Sequence, residues 1–186
     1  MRILLAGLAG AIAMFAWTTV AHVLTPLGST GLSRIPNEPS VIATMHQSIG
    51  DKSGLFFFPW VDPNDPNAMT KEAQLMKTGP SGLLLYHPAI ASMMTWQQPA
   101  MEFAKQLVTS LIIAFLVSMT ALGTYVGRAG FVALLGLAAG STTNISYWIW
   151  YGFPTAYSLA YTFIDVVAYI AAGLAIAAIV RPRMAT

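Results

Sequence analysis

Apolar positions along the chain gather into four long runs, split by one long and two short polar stretches. The first run, Ile3 to Leu24, reads ILLAGLAGAIAMFAWTTVAHVL. As a helix rising ~1.5 Å per residue it is long enough to cross the ~30 Å hydrocarbon core of a bilayer. The second extends from about Phe103 to Tyr125, with Lys105 able to snorkel at its start; the third from about Phe131 to Trp150; and the fourth from about Ser158 to Val180. The pattern predicts an α-helical transmembrane four-helix bundle. Residues 25–102 form a long insertion after the first span, and residues 103–186 hold the other three spans and a short tail.

Inside the insertion the periodicity changes. SGLFFFPW at 53–60 is echoed by SGLLLYHP at 81–88, an offset of 28 residues. Ahead of the first copy, Val41, Ile42, Met45 and Ile49 share a helical face, with Glu38 and Pro39 suited to its start. Ahead of the second, Met69, Ala73, Leu75 and Met76 form a looser face, with Asn67 as a candidate cap. Gly50 and Gly79 are placed to stop these helices. Gly54–Phe58 and Gly82–Tyr86 are too short to span and read as buried strands, separated by the loop-forming PWVDPNDPN. The expected order is a small α/β insertion, α-β-α-β. Apolar runs without alternation suggest parallel strands buried on both faces, joined by a right-handed crossover. A chance echo, or a loop dipping into the membrane, are the alternatives. A unit this small has little core, so it is expected to lean on the spans or on another protein.

Charge orients the set. Arg2, Arg128, Arg181 and Arg183 all fall on one side of a four-span topology, which the positive-inside rule assigns to the cytoplasm with both termini. In residues 25–102, four basic side chains face six acidic ones. A competing reading makes the first run a signal peptide ending near Ala21, although its apolar stretch is long for one. Small residues recur at helix-contact spacing: Gly7, Gly10 and Ala13; Ser110, Ala114 and Ser118; Gly136 and Gly140; Ala168, Ala172 and Ala175 with Asp165. Such faces serve packing within the bundle, self-association, or docking on another membrane protein.

Composition agrees with a membrane chain. Of 186 residues 56% are hydrophobic and 9% charged, with mean hydropathy +0.63, against about a quarter charged in soluble domains. A net charge of +2 with no basic cluster gives no reason to expect nucleic acid. The absence of Cys excludes disulfides, thiolate metal sites and Cys nucleophiles. No dinucleotide, Walker, HExxH or GxSxG signature occurs, so no catalytic residue is assigned, and neither a cofactor nor a metal is expected.

The chemistry that remains is a polar layer inside the spans. Asp165 lies ~24 Å along its helix from Arg181. Thr18, Thr19, Thr109, Ser110 and Asn144 fall near the same depth, with Ser141, Thr142 and Thr143 slightly deeper. An ionisable group there serves either a structural hydrogen-bond network or a ligand or proton path. His22 is the candidate partner of Asp165. His46 and His87 sit in the two halves of the echo and match no compact metal or haem motif. Met93, Met94, Trp96 and Met101 before the second span read as interfacial residues, with a Met-rich copper site as the remote alternative.

The first span with the following HVLTPLGSTGLSRIPNEPSV, and the later GLFFFPW and GPSGLLLYHP, resembles an uncharacterised family of small bacterial four-span inner-membrane proteins with a periplasmic insertion. The resemblance implies the bacterial inner membrane and carries over no site residue. The expected function is a structural, assembly or interaction subunit. The alternative is a small transport, redox or proton-relay component using the layer around Asp165.

Overall fold

The computed structural model describes residues 1–89 and 95–180. Met93, Met94, Arg181 and Arg183 lie outside that set, and with them part of the expected interfacial cluster and of the charge bias. Four helices are long and apolar enough to cross a membrane. These are α1 (Arg2–Thr19, continued by a π-helical turn through Leu24), α4 (Gln97–Met119), α5 (Tyr125–Tyr151) and α6 (Thr155–Ile179). Between α1 and α4 lie α2 (Glu38–Ile49), β1 (Gly54–Phe58), α3 (Ala68–Thr78) and β2 (Gly82–Tyr86). The chain divides into two compact units, Met1–Leu32 with Met94–Thr186, and Ser33–Met93.

In the first unit α4 packs on α1, α1 on α6, and α6 on α5, so α4 and α5 are outer members that touch little. Ala6, Met14, Ile113, Ala114, Val117, Val132, Ala168, Ala172 and Ile176 form the shared core, and α1 is a full packing member of it. Small residues set the approach distances. A Cβ on Gly136 would lie 2.3 Å from Tyr169 Cβ, one on Gly7 2.5 Å from a Leu111 methyl, and one on Gly10 2.9 Å from Ile176. The glycine faces are therefore consumed inside the bundle, as are Ser110 and Ala114, both fully buried. Ser118 is only half-buried and bonds back to Phe115 O. Beyond α1, the TPLGSTG segment folds back on α6: Tyr161 Oη donates to Gly28 O at 3.1 Å. Gly31, at φ +82°, sits where a Cβ would strike the Tyr157 backbone at 2.7 Å.

Two helix ends around the α4–α5 connection differ from expectation. The second span ends at Met119 rather than Tyr125, where Thr120 turns extended. The third starts at Tyr125, capped by Thr124 Oγ1 accepting from Gly127 N. Arg128 thus belongs to the first turn of α5, not to a connecting loop.

The insertion corrects a larger expectation. β1 and β2 pair antiparallel, with Gly54 opposite Tyr86 and Phe58 opposite Gly82. The parallel expectation required both strand faces to be covered. They are not, since Leu55 is 63% and Leu85 66% exposed. Helix α3 shares a groove with the Trp60–Asp62 segment. The chain then returns through Gly79-Pro80-Ser81 to the end where β1 finished, and antiparallel pairing is the direct outcome. Phe56 and Phe58 lay their rings against Gly54 and Gly82, with 3.2 Å from each ring to the glycine Cβ position. Among the described residues of this unit only Tyr86 is buried, its hydroxyl donating to Gly50 O at 3.0 Å.

Asn67 occupies the N-cap position of α3, but its side chain makes no capping bond. Asp65 supplies the local anchor, accepting from Asn67 N at 2.9 Å and pairing with Lys71. The Lys71 ammonium first, and the Asn67 N–H second, hold the Asp65 carboxyl below its ordinary value against weak desolvation. A depressed folded-state value means the contribution is present above the unfolded value near ~3.9 and lost as pH falls through the folded one. An NMR titration of Asp65 is expected to show a midpoint below ~3.9 that Lys71→Ala moves upward. A midpoint indifferent to that substitution removes the ion pair from the account.

Candidate functional site

A cleft of about 820 Å³ opens between the outer helices α4 and α5, with α1 and α6 also lining it. Its walls are mostly apolar, including Met14, Phe15, Ile164 and Ala168. Its polar groups arise from simple helical spacing. On α4, Glu102, Lys105, Gln106 and Thr109 follow i, i+3, i+4, i+7 and share one face. On α1, Thr18 and His22 are one turn apart, and on α6, Tyr161 and Asp165 are too.

These groups are wired in two clusters. Gln106, only 3% exposed, donates from Nε2 to Thr18 Oγ1 at 3.0 Å and to Glu102 Oε1 at 2.8 Å. Lys105 Nζ pairs with the same Glu102 oxygen at 2.8 Å. Gln106 Oε1 is buried with no hydrogen-bond partner. In the second cluster, Asn144 Nδ2 donates to Gly140 O and to Asp165 Oδ2, both at 3.0 Å. A Cβ on Gly140 would lie 3.1 Å from Asp165 Cβ, so glycine is what lets α5 come close enough for this bond. Trp17 Nε1 donates to Ile164 O at 2.9 Å, which fixes α1 against α6 beside Asp165. Among the described residues, Asp165 has this one hydrogen bond and no ion pair.

No known family model, curated protein or solved structure matches the chain.

The structure brings Thr18, Thr19, Thr109, Thr143, His22 and Asp165 to the one cleft, with Asn144 bonded to Asp165 from behind Gly140. Ser110 lies off it, fully buried and donating to Met14 Sδ at 3.3 Å. Ser141 and Thr142 bond back to carbonyls of their own helix. No hydrogen bond joins His22 to Asp165 among the described residues. The His22 ring instead meets Tyr161 edge-on at 5.6 Å, at the end of a run of rings through Tyr157, Phe153 and Tyr147. His46 and His87 belong to the other unit, both exposed. Among the described residues no three His, Asp or Glu converge as metal ligands. Trp96 and Met101 are exposed, at the start of α4.

Sequence reasoning missed Glu102 and Gln106. Their heptad-like spacing with Lys105 and Thr109 was the available signal. It was masked because Lys105, near a span end, reads as a snorkelling lysine.

Proposed function

We propose that the chain is a structural, assembly or interaction subunit of the bacterial inner membrane, with both termini cytoplasmic and residues 25–102 periplasmic. One observation carries this reading: the unit Ser33–Met93 buries a single described residue while Leu55, Trp60, Met69 and Leu85 are 63–86% exposed. Ordering a backbone costs about 1–2 kcal/mol per residue, and covering each such side chain returns roughly 1.5–3 kcal/mol. A unit with one buried residue lacks that return until a partner covers it. The acidic excess of the insertion disfavours an anionic lipid surface and favours a protein, whether another membrane protein or a second copy. With the glycine faces of the spans consumed internally, the insertion is the docking element.

The test is the mass of the assembly extracted in native-lipid nanodiscs. The wild-type chain is expected in a particle heavier than one 19.9 kDa protomer, and Leu55→Ser with Leu85→Ser should return it to a single chain. An integer multiple of that mass assigns self-association. A lone wild-type chain whose insertion resists protease overturns the reading.

A second reading is favoured by the cleft: a small transport, redox or proton-relay component. Its support is an Asp165 carboxylate that meets no cation among the described residues, inside a span where ionisable groups are costly. Loss of proton or solute flux from proteoliposomes on Asp165→Asn would sustain it, and flux equal in both proteins would end it.

A further inference from the structure

Two hydrogen-bond acceptors of the cleft residues stand out as under-used. Gln106 lines the cleft, and its Oε1 is buried without a hydrogen-bond partner. Among the described residues, the Asp165 carboxylate takes one bond, from Asn144, and no cation. Lys105 is the only Lys or Arg lining the cleft among the described residues, and Glu102 holds it at 2.8 Å. Two carboxylates, Glu102 and Asp165, and one ammonium thus line the cleft among the described residues, and the ammonium is committed to Glu102. Around these acceptors the walls are hydrocarbon, and the volume is that of a site for a small organic molecule.

We propose that this cleft binds an amphiphile with a primary ammonium head and an apolar body, the head between Asp165 and Gln106 Oε1 and the body along the apolar walls. The inference rests on the cleft reading above, not on docking of the insertion. An ammonium supplies donors to both acceptors and a positive charge beside Asp165 together. A hard metal ion needs about six oxygen ligands, and walls of Met14, Ile164 and Ala168 do not offer them. A neutral alcohol satisfies Gln106 but leaves the carboxylate uncompensated. The same head occurs on a membrane lipid and on a free long-chain amine, and the cleft chemistry is shared by both.

Dodecylamine titrated into the full chain in phosphatidylcholine nanodiscs is the direct probe, with empty nanodiscs subtracted. Saturable binding of one equivalent is expected, at least tenfold tighter than dodecanol. Asp165→Asn, close in shape, should weaken it at least tenfold, and Gln106→Leu about fivefold, each with the melting transition retained. Equal binding of dodecylamine and dodecanol, binding unchanged in both variants, or sodium or calcium binding in place of the amine would overturn the proposal. If phosphatidylethanolamine in the nanodisc competes with dodecylamine, the head is a lipid's; if it does not, the site takes a free amine. Amine bound but not moved across proteoliposomes retires the transport reading and leaves the site. Proton flux that needs Asp165 without amine binding does the reverse.

Discussion

Gly136→Ala is expected to push α5 off α6 and to lower stability by about 2–3 kcal/mol, although alanine is the better helix former. The two considerations have opposite signs, which makes the result decisive. Helix propensity favours alanine over glycine by ~0.8–1 kcal/mol. Packing opposes it, because the new methyl would lie 2.3 Å from Tyr169 Cβ and 2.8 Å from its Cγ. A Cβ cannot rotate away, so the helix backbones must part. A Cβ on Gly173 of α6 would lie 2.9 Å from Val132 Cβ on the same contact, so neither helix has slack to give. Gly130 is the internal control: it lies in α5 with nothing within 4 Å of its Cβ position. Gly130→Ala should hold or raise the apparent melting temperature, while Gly136→Ala lowers it by roughly 6–10 °C. Equal behaviour of the two variants would refute the packing argument.

The consequence reaches the cleft. Gly140 and Asn144 lie one and two turns along α5 from Gly136, and the Asn144–Asp165 bond of 3.0 Å exists only at the close approach these glycines permit. A helix displaced by even an ångström breaks that bond. Gly136→Ala should therefore also weaken dodecylamine binding without touching a cleft polar group, whereas Gly130→Ala leaves it unchanged.

Much of this was legible beforehand, and the failures have a common form. The Ser-Gly-Leu echo places both strands and both preceding helices at the residues where they form, because Gly and Pro punctuate the chain so sharply. Strand direction was not legible. FFF and LLL say that a strand is apolar, not that anything covers it, and direction followed from where α3 releases the chain. The Asn144–Asp165 contact was legible as two polar groups at equal depth in neighbouring spans. The Glu102–Gln106–Thr18 cluster needed the helix face of α4 and the neighbour across it, and depth alone does not give that neighbour. Arg128 was read for its charge alone, which is the least of what it does.

Arg128 is 8% exposed and meets no carboxylate among the described residues. Its Nε and Nη2 donate to Ala177 O at 3.3 and 3.0 Å, and its Nη1 to Leu122 O and Gly123 O at 3.2 and 3.0 Å. Near the N-terminus of α5 a cation is mildly unfavourable, by about 0.3–1 kcal/mol. The same guanidinium sits at the C-terminal turn of α6, where the dipole favours it and carbonyls lack helical partners. Charge-assisted bonds of this kind contribute about 1.5–3 kcal/mol each, so the capping outweighs the penalty. Arg128→Ala is expected to cost about 3–4 kcal/mol and to loosen the end of α6 together with the 120–124 connection. Arg128→Lys separates this role from membrane orientation. A lysine preserves the positive charge that topology needs but cannot fork across three carbonyls, so it should insert normally and still lose most of the stability. If Arg128→Lys matches the wild type in both topology and thermal unfolding, the charge alone is what the position requires and the capping account fails.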